Sequence, residues 1–351
     1  MPDAGAGGPG GGRTPDISLD QARALIERAI DKAEQLGLRG SVAVVGGSGV
    51  LVSASRMDAS GAGGMARARS KAWIAATQQV PSAEHLRRMV TIAGPVAQGF
   101  VACSPEANFP GAGGMPVFDT AAHGLAGRDQ NLVVGGIAAS GAAVSPFYPA
   151  GTDPLDMIAD GVPANPEDLV VHYALGVPYA GQHGDDEQRW RDAFGEWPGS
   201  PPAGQGMTAA PAAKAQTEHQ WAVTLADQVI AEAGRRGRLV AVAITDHRGD
   251  PVQQDWMPGA PTAAVAVAQA VAAAAGAFQC PSAELAALYP DGLAAQLGAL
   301  VPFPVLAAPG GLPVEEDGRV VAGLGVAGRD PGACEEIAAA VLVARAAQAA
   351  G

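Results

Sequence analysis

Apolar residues recur at helical spacing near the start of the chain. Ala22, Leu25, Ile26, Ala29, Ile30, Ala33 and Leu36 fall at i, i+3, i+4 intervals. Ser18 stands where an N-cap belongs and Gly37 where a helix stops, so the pattern predicts an amphipathic helix between them. The period then changes. SVAVVGG and VLVSASR are short strand-like runs on either side of a turn at Gly46 to Gly49, which predicts a hairpin. A helix is expected over about 65–79. A second one opens at Pro81-Ser82-Ala83-Glu84, with proline at a helix start and Glu84 at the capping-box position. A Gly/Pro-rich loop leads to Gly113-Gly114-Met115-Pro116, and two strands and a helix close the unit.

The same pattern occurs twice. Shifted by 200 positions, the chain matches itself without gaps for about seventy residues. Leu25 falls on Leu225, Ile30 on Ile230, Gly37 on Gly237, Gly49 on Gly249 and Met57 on Met257. Pro81 to Glu84 recurs as Pro281 to Glu284, GGMPV at Gly113 as GGLPV at Gly310, and VVGGIAASG at Val133 as VVAGLGVAG at Val320. A long period repeated twice is a tandem duplication rather than a solenoid. The expected organisation is a Gly/Pro-rich disordered arm over 1–16, one domain over 17–160, a connector over 161–216 and a second domain over 217–351. Helices around a mostly antiparallel sheet make each domain α+β. The connector holds Tyr173, Tyr179, Trp190, Phe194 and Trp197, and reads as an aromatic lid over the first domain.

The copies differ where chemistry could reside. Lys71, Arg56, Arg67 and Arg69 of the first copy face Val271, Trp256, Val267 and Gln269 in the second. Between the GG-x-P element and the next strand the first copy carries FDTAAHGLAGRDQNL, with His123, Arg128 and Asp129, where the second has only EEDGR. The first copy therefore keeps a local cationic cluster suited to an anionic ligand. Lys71 reads either as a solvated lysine or as a group that binds an acid or moves a proton. The Gly113-Gly114 loop reads either as a tight turn or as N–H donors for an anion. His123 reads as an exposed loop residue, a general base or a haem-iron ligand. The Ala-rich stretch 263–277 suggests that the second copy is a degenerate packing scaffold, with homo-oligomers forming through it.

Arg56-Met57-Asp58, Lys71-Ala72, Gly113-Gly114-Met115-Pro116 and Gly135-Gly136 through Ser140-Gly141 together resemble the GlcG/HbpS family, described as haem-binding or haem-degrading and related to PduO C-terminal domains. The resemblance covers both halves. It implies two antiparallel five-stranded sheets flanked by helices, joined as a pseudo-dimer. The resemblance raises the ligand-binding reading of Gly113, Gly114 and Pro116; with Arg56, Met57, Arg67, Phe118 and Arg128 they make up the candidate ligand site, with Lys71 and His123 as catalytic candidates. The cofactor it implies is haem, or else none.

Composition narrows the field. The net charge is −13 and the pI about 4.8, with Lys32, Lys71 and Lys214 the three lysines. That balance opposes nucleic-acid binding and docking on anionic lipid. The sequence contains no apolar run of membrane-spanning length and no secretory h-region, so a cytoplasmic location is expected. Cys103, Cys280 and Cys334 are read as small buried apolar residues, too scattered for disulfides or zinc. Phosphate-loop, dinucleotide and nucleophile-elbow motifs are missing. The functional expectation is a small-molecule binder for haem or another planar acid. The alternative is a cofactor-independent isomerase, cyclase or lyase, as in secondary-metabolite biosynthesis.

Overall fold

A computed structural model of the chain describes residues 16–35, 38–92, 94–103, 108–118, 133–141, 166–176, 218–290 and 293–349. The first half contains α1 (Leu19–Gln35), β1 (Ser41–Gly46), β2 (Leu51–Arg56), α2 (Gly63–Gln78), α3 (Ser82–Thr91), α4 (Gly94–Ala102), β3 (Gly114–Phe118), β4 (Val133–Ser140) and α5 (Pro166–Leu175). The second repeats the order with α6 (Glu218–Arg235), β5 (Ala241–Asp246), β6 (Pro251–Trp256), α7 (Ala264–Phe278), short helices after Pro281, β7 (Gly311–Glu316), β8 (Arg319–Ala327) and α8 (Pro331–Ala349).

The predicted first helix forms as expected. Ser18 Oγ accepts the Gln21 N–H and Gln21 Oε1 accepts the Ser18 N–H, a reciprocal cap. Leu19, Ala22, Leu25, Ile26, Ala29, Ile30 and Ala33 are its buried stripe. No side-chain cap closes on Pro81 or Pro281, so the expected capping boxes at Glu84 and Glu284 do not form. Glu84 pairs with Arg88 one turn on instead.

All eight strands join one antiparallel sheet in the order β3-β4-β1-β2-β6-β5-β8-β7. Each half contributes four strands among the described residues, not five. The hairpin edges β2 and β6 pair with each other, Ser53 opposite Asp255, Ala54 opposite Gln254 and Ser55 opposite Gln253. The pseudo-dyad runs through that seam. The outer strands carry Pro116 and Pro313, which suits strands with no further neighbour.

Helices α2 and α7 cover one face; α1, α5, α6 and α8 cover the other. The α2/α7 layer lies close because glycine opens the sheet. A Cβ at Gly136 would stand 2.3 Å from the Ala72 carbonyl oxygen, and one at Gly323 would stand 2.0 Å from that of Ala272. One core cluster draws on both halves, joining Ala43, Ala72 and Ile137 to Ala243, Ala268 and Ala272. The Ala-rich helix is therefore interior. A second cluster fills the space between α6, α8 and the sheet. Among the described residues no single helix is long and apolar enough to cross a membrane. Of the cysteines, Cys334 is buried as expected, Cys280 is half-buried and Cys103 is exposed on α4's end.

Candidate functional site

Lys71 lies on α2 among Ala68, Ala72, Ala75 and Ala76, small residues that draw the helix down on β4. The close approach buries the lysine. Its ammonium ion-pairs with Glu167 in the first turn of α5 and donates to the Ala139 carbonyl at 3.3 Å. Glu167 Oε1 accepts the Gly141 N–H at 2.8 Å, and the next residue, Asp168, accepts the Gly113 N–H. The two side chains of the ion pair are 4 % and 6 % exposed. Removing either partner of such a pair strands a charge in the interior. Arg67, one turn earlier on α2, is half-buried; its Nε donates to Ser140 Oγ at 3.4 Å. Arg67, Lys71, Ser140–Gly141, Gly113 and the Glu167–Asp168 pair thus converge where β4 ends.

The second half has the same scaffold without the charges. Glu335 Oε2 accepts the Gly310 N–H at 3.0 Å, as Asp168 does with Gly113. Cys334 lies against Gly328, as Glu167 lies against Gly141. Lys71, Glu167 and Arg67 are therefore answered by Val271, Cys334 and Val267. The same corner carries a cavity of about 240 Å³ lined by Leu239, Val240, Gly328, Ala333 and Cys334. Burial, then the nearby Asp330 carboxylate, pushes the Cys334 thiol up to about 11. It stays protonated at neutral pH and is no nucleophile.

The two glycine loops are built alike. Gly113 and Gly310 both take positive φ, at +98° and +117°. Ser82 Oγ donates to the Gly111 carbonyl, and Ser282 Oγ to that of Ala308 at 2.6 Å. The serine of the repeated P-S-A-E is the pin that holds each loop. The Gly113 N–H, expected to meet a ligand anion, is donated to Asp168.

A family model for the haem degrading protein HbpS-like family matches residues 17–145 and again 218–343, well over half of the chain. The chain belongs to the HbpS-like family. Six chains of solved structures match. A double mutant of HbpS from Streptomyces reticuli is 31 % identical over 36 % of this chain and 84 % of its own, with a TM-score of 0.33. PduOC in complex with haem is 25 % identical over 35 % of this chain and 89 % of its own, with a TM-score of 0.32. No curated protein matches the chain.

Other expected site residues of this HbpS-like chain are scattered. Arg56 is buried at the seam and bonds Asp246 of the second half at 3.0 Å, away from the Lys71 corner. Met57 is buried, and its N–H donates to the Gly40 carbonyl, beside Gly141. Gly114 and Pro116 are buried in β3, and Phe118 is half-buried at its end. His123, Arg128 and Asp129 lie outside the described residues, as do Tyr179, Trp190, Phe194 and Trp197 of the expected lid. Tyr173 is exposed on α5 under the Lys32 ammonium. His85 is buried; burial and then the Arg88 charge hold its imidazole below the usual value, so it is neutral at pH 7. Among the described residues no group of three or more His, Cys, Asp or Glu side chains could hold a metal ion. Sequence reasoning missed Glu167, Asp168 and Ser82. The sequence marked one end of the pair alone, the loss of Lys71 to Val271; the equivalence of Glu167 and Cys334 emerges from the fold.

Proposed function

We propose that this HbpS-like chain is a small-molecule-binding protein for a planar acid, a haem-type tetrapyrrole or a comparable metabolite, with its site in the first half. The observation that supports this is the buried Lys71–Glu167 pair with Arg67 beside it, kept in one half and replaced by Cys334 and valines in the other. Arg67 at the rim would take the ligand's acid group as a charge-assisted partner. Lys71 and Glu167 would hold Gly141 and the β4 end in place behind it. The family's description supports a haem-type ligand. Among the described residues Arg67 suits the acid group of such a ligand.

A second reading, a cofactor-independent isomerase, cyclase or lyase, is favoured by one feature. An ammonium and a carboxylate in buried contact form a proton-transfer couple. In that reading Lys71 is the catalytic group and Glu167 its partner.

The test is a visible-absorption titration of the full chain with hemin, run beside Arg67→Ala, Lys71→Ala and His123→Ala. A saturable Soret shift, weakened in Arg67→Ala and lost in His123→Ala, supports a haem site in which His123 would ligate the iron. The absence of a shift removes haem. Candidate planar acids are then screened by fluorescence quenching against the wild type and Arg67→Ala. Turnover abolished in a folded Lys71→Ala would favour the enzyme.

A further inference from the structure

We infer that the seam between β2 and β6 is a one-handed interface: each half accepts the other and rejects its own copy. Two ion pairs cross the seam, one buried and one half-buried at its arginine, and both run the same way. Arg56 Nη2 of the first half meets Asp246 Oδ2 of the second at 3.0 Å, with side chains 8 % and 10 % exposed. On the opposite face Arg23 of α1 grips Asp255 with both arms of its guanidinium, at 3.1 and 2.9 Å. Ser53 Oγ and Gln253 Nε2 also donate to Asp255, at 2.8 and 2.9 Å, and Arg23 reaches Asp227 of α6 as well. The cation comes from the first half each time and the anion from the second.

The repeat shows what a like-with-like seam would contain. At the dyad-related positions Arg23 corresponds to Val223, Asp255 to Ser55, Arg56 to Trp256 and Asp246 to Gly46. Two first halves would leave Arg56 facing Gly46, and Arg23 facing Ser55 with Glu27, the counterpart of Asp227, as its remaining carboxylate. Two second halves would bury two Asp255 carboxylates against Val223. Two first halves leave the buried Arg56 without a carboxylate, and two second halves leave the buried Asp255 without a cation, although Asp246 keeps Arg248 of its own half at 3.1 Å; a buried charge that loses its partner is strongly unfavourable. A mismatch of this kind selects partners by repulsion as much as by attraction. The partner each seam fits is therefore the complementary half, and two chains can share seams only by exchanging halves.

Two experiments on the full chain test this. The first is a double-mutant cycle of Arg56→Gln, Asp246→Asn and the pair, read as urea midpoints. Each single variant is expected to raise the unfolding equilibrium constant by at least about a hundredfold. The double variant should cost clearly less than the product of the two. Full additivity overturns the inference. The second uses chain X (Asp246→Arg, Asp255→Arg) and chain Y (Arg23→Asp, Arg56→Asp). Each alone sets like charges against each other at the seam. Mixed, X and Y should form a one-to-one dimer by native mass spectrometry and regain cooperative unfolding. Failure to rescue each other, or wild-type stability of X or Y alone, overturns it.

Discussion

Lys71 and Glu167 are a pair whose two members depend on each other for their burial. In water an exposed pair is worth little, but a buried ammonium or carboxylate without its partner is costly. Lys71→Ala or Glu167→Gln alone is therefore expected to destabilise the protein by about 3–5 kcal/mol. The second half shows another solution, Val271 with Cys334. Lys71→Val with Glu167→Cys should thus recover most of the loss, since apolar replacement of a buried pair is often neutral. Urea midpoints of the two singles and the double decide it; a double as unstable as the worse single would refute the equivalence of the corners. Two histidines add a pH dependence. Burial, which outweighs the Asp58 charge, holds His219 below its usual value, and burial with Arg88 does the same for His85. The unfolded chain then takes up protons near 6.5 while the folded one does not. Stability is full above that value and falls as pH drops through it toward the folded values. The urea midpoint should decline from about pH 7.5 to about 5.5, and less so in His219→Gln. An unchanged midpoint in the wild type would contradict this.

At the scale of elements, the distance between helix and sheet is set by glycine. Alanine at Gly136 or Gly323 would press its Cβ into a carbonyl of α2 or α7, whose helices must then lift off β4 or β8. The expected cost is at least ~1–3 kcal/mol for either variant. Gly99 on the exposed α4 meets nothing within 4 Å, so Gly99→Ala should be stabilising by roughly 0.5–1 kcal/mol. Thermal melts of the three variants compare the two effects; a harmless Gly323→Ala would mean that α7 is not held at that separation. The same elements show what the sequence made legible. Helix, hairpin, helix and glycine loop were readable because each has a local period or breaker, and the 200-residue repeat doubled the signal. α5 was not. Its PEDLVVHYAL follows a Gly/Pro-rich stretch and shares little with PGACEEIAAAV of α8, so it read as connector. Glu167 reaches Lys71 across 96 positions, and no local pattern encodes such a contact. Arg56 was grouped with Arg67 by closeness in sequence. It ends a strand whose neighbour is β6, so its partner lies in the other half.

For the molecule as a whole, the question is whether a duplicated chain behaves as two units or one. The sheet runs unbroken through the β2–β6 ladder, and one apolar cluster takes side chains from both halves. Neither half can open its share of that cluster without exposing the other's, nor leave the seam without stranding Asp255 or Arg56. Unfolding should therefore be a single cooperative transition, despite a chain length at which separate domains are common. Two lesions far apart test this: Lys71→Ala in the first half and Gly323→Ala in the second. Each should move the whole transition, seen alike by far-ultraviolet circular dichroism and by the fluorescence of Trp73 on α2 in a chain whose other tryptophans are replaced by phenylalanine. The double variant should fall by close to the sum of the two, since distant sites add. If instead Lys71→Ala splits the curve, with Trp73 melting ahead of the helical signal, the halves are separate folding units. The shared cluster would then be contact without coupling.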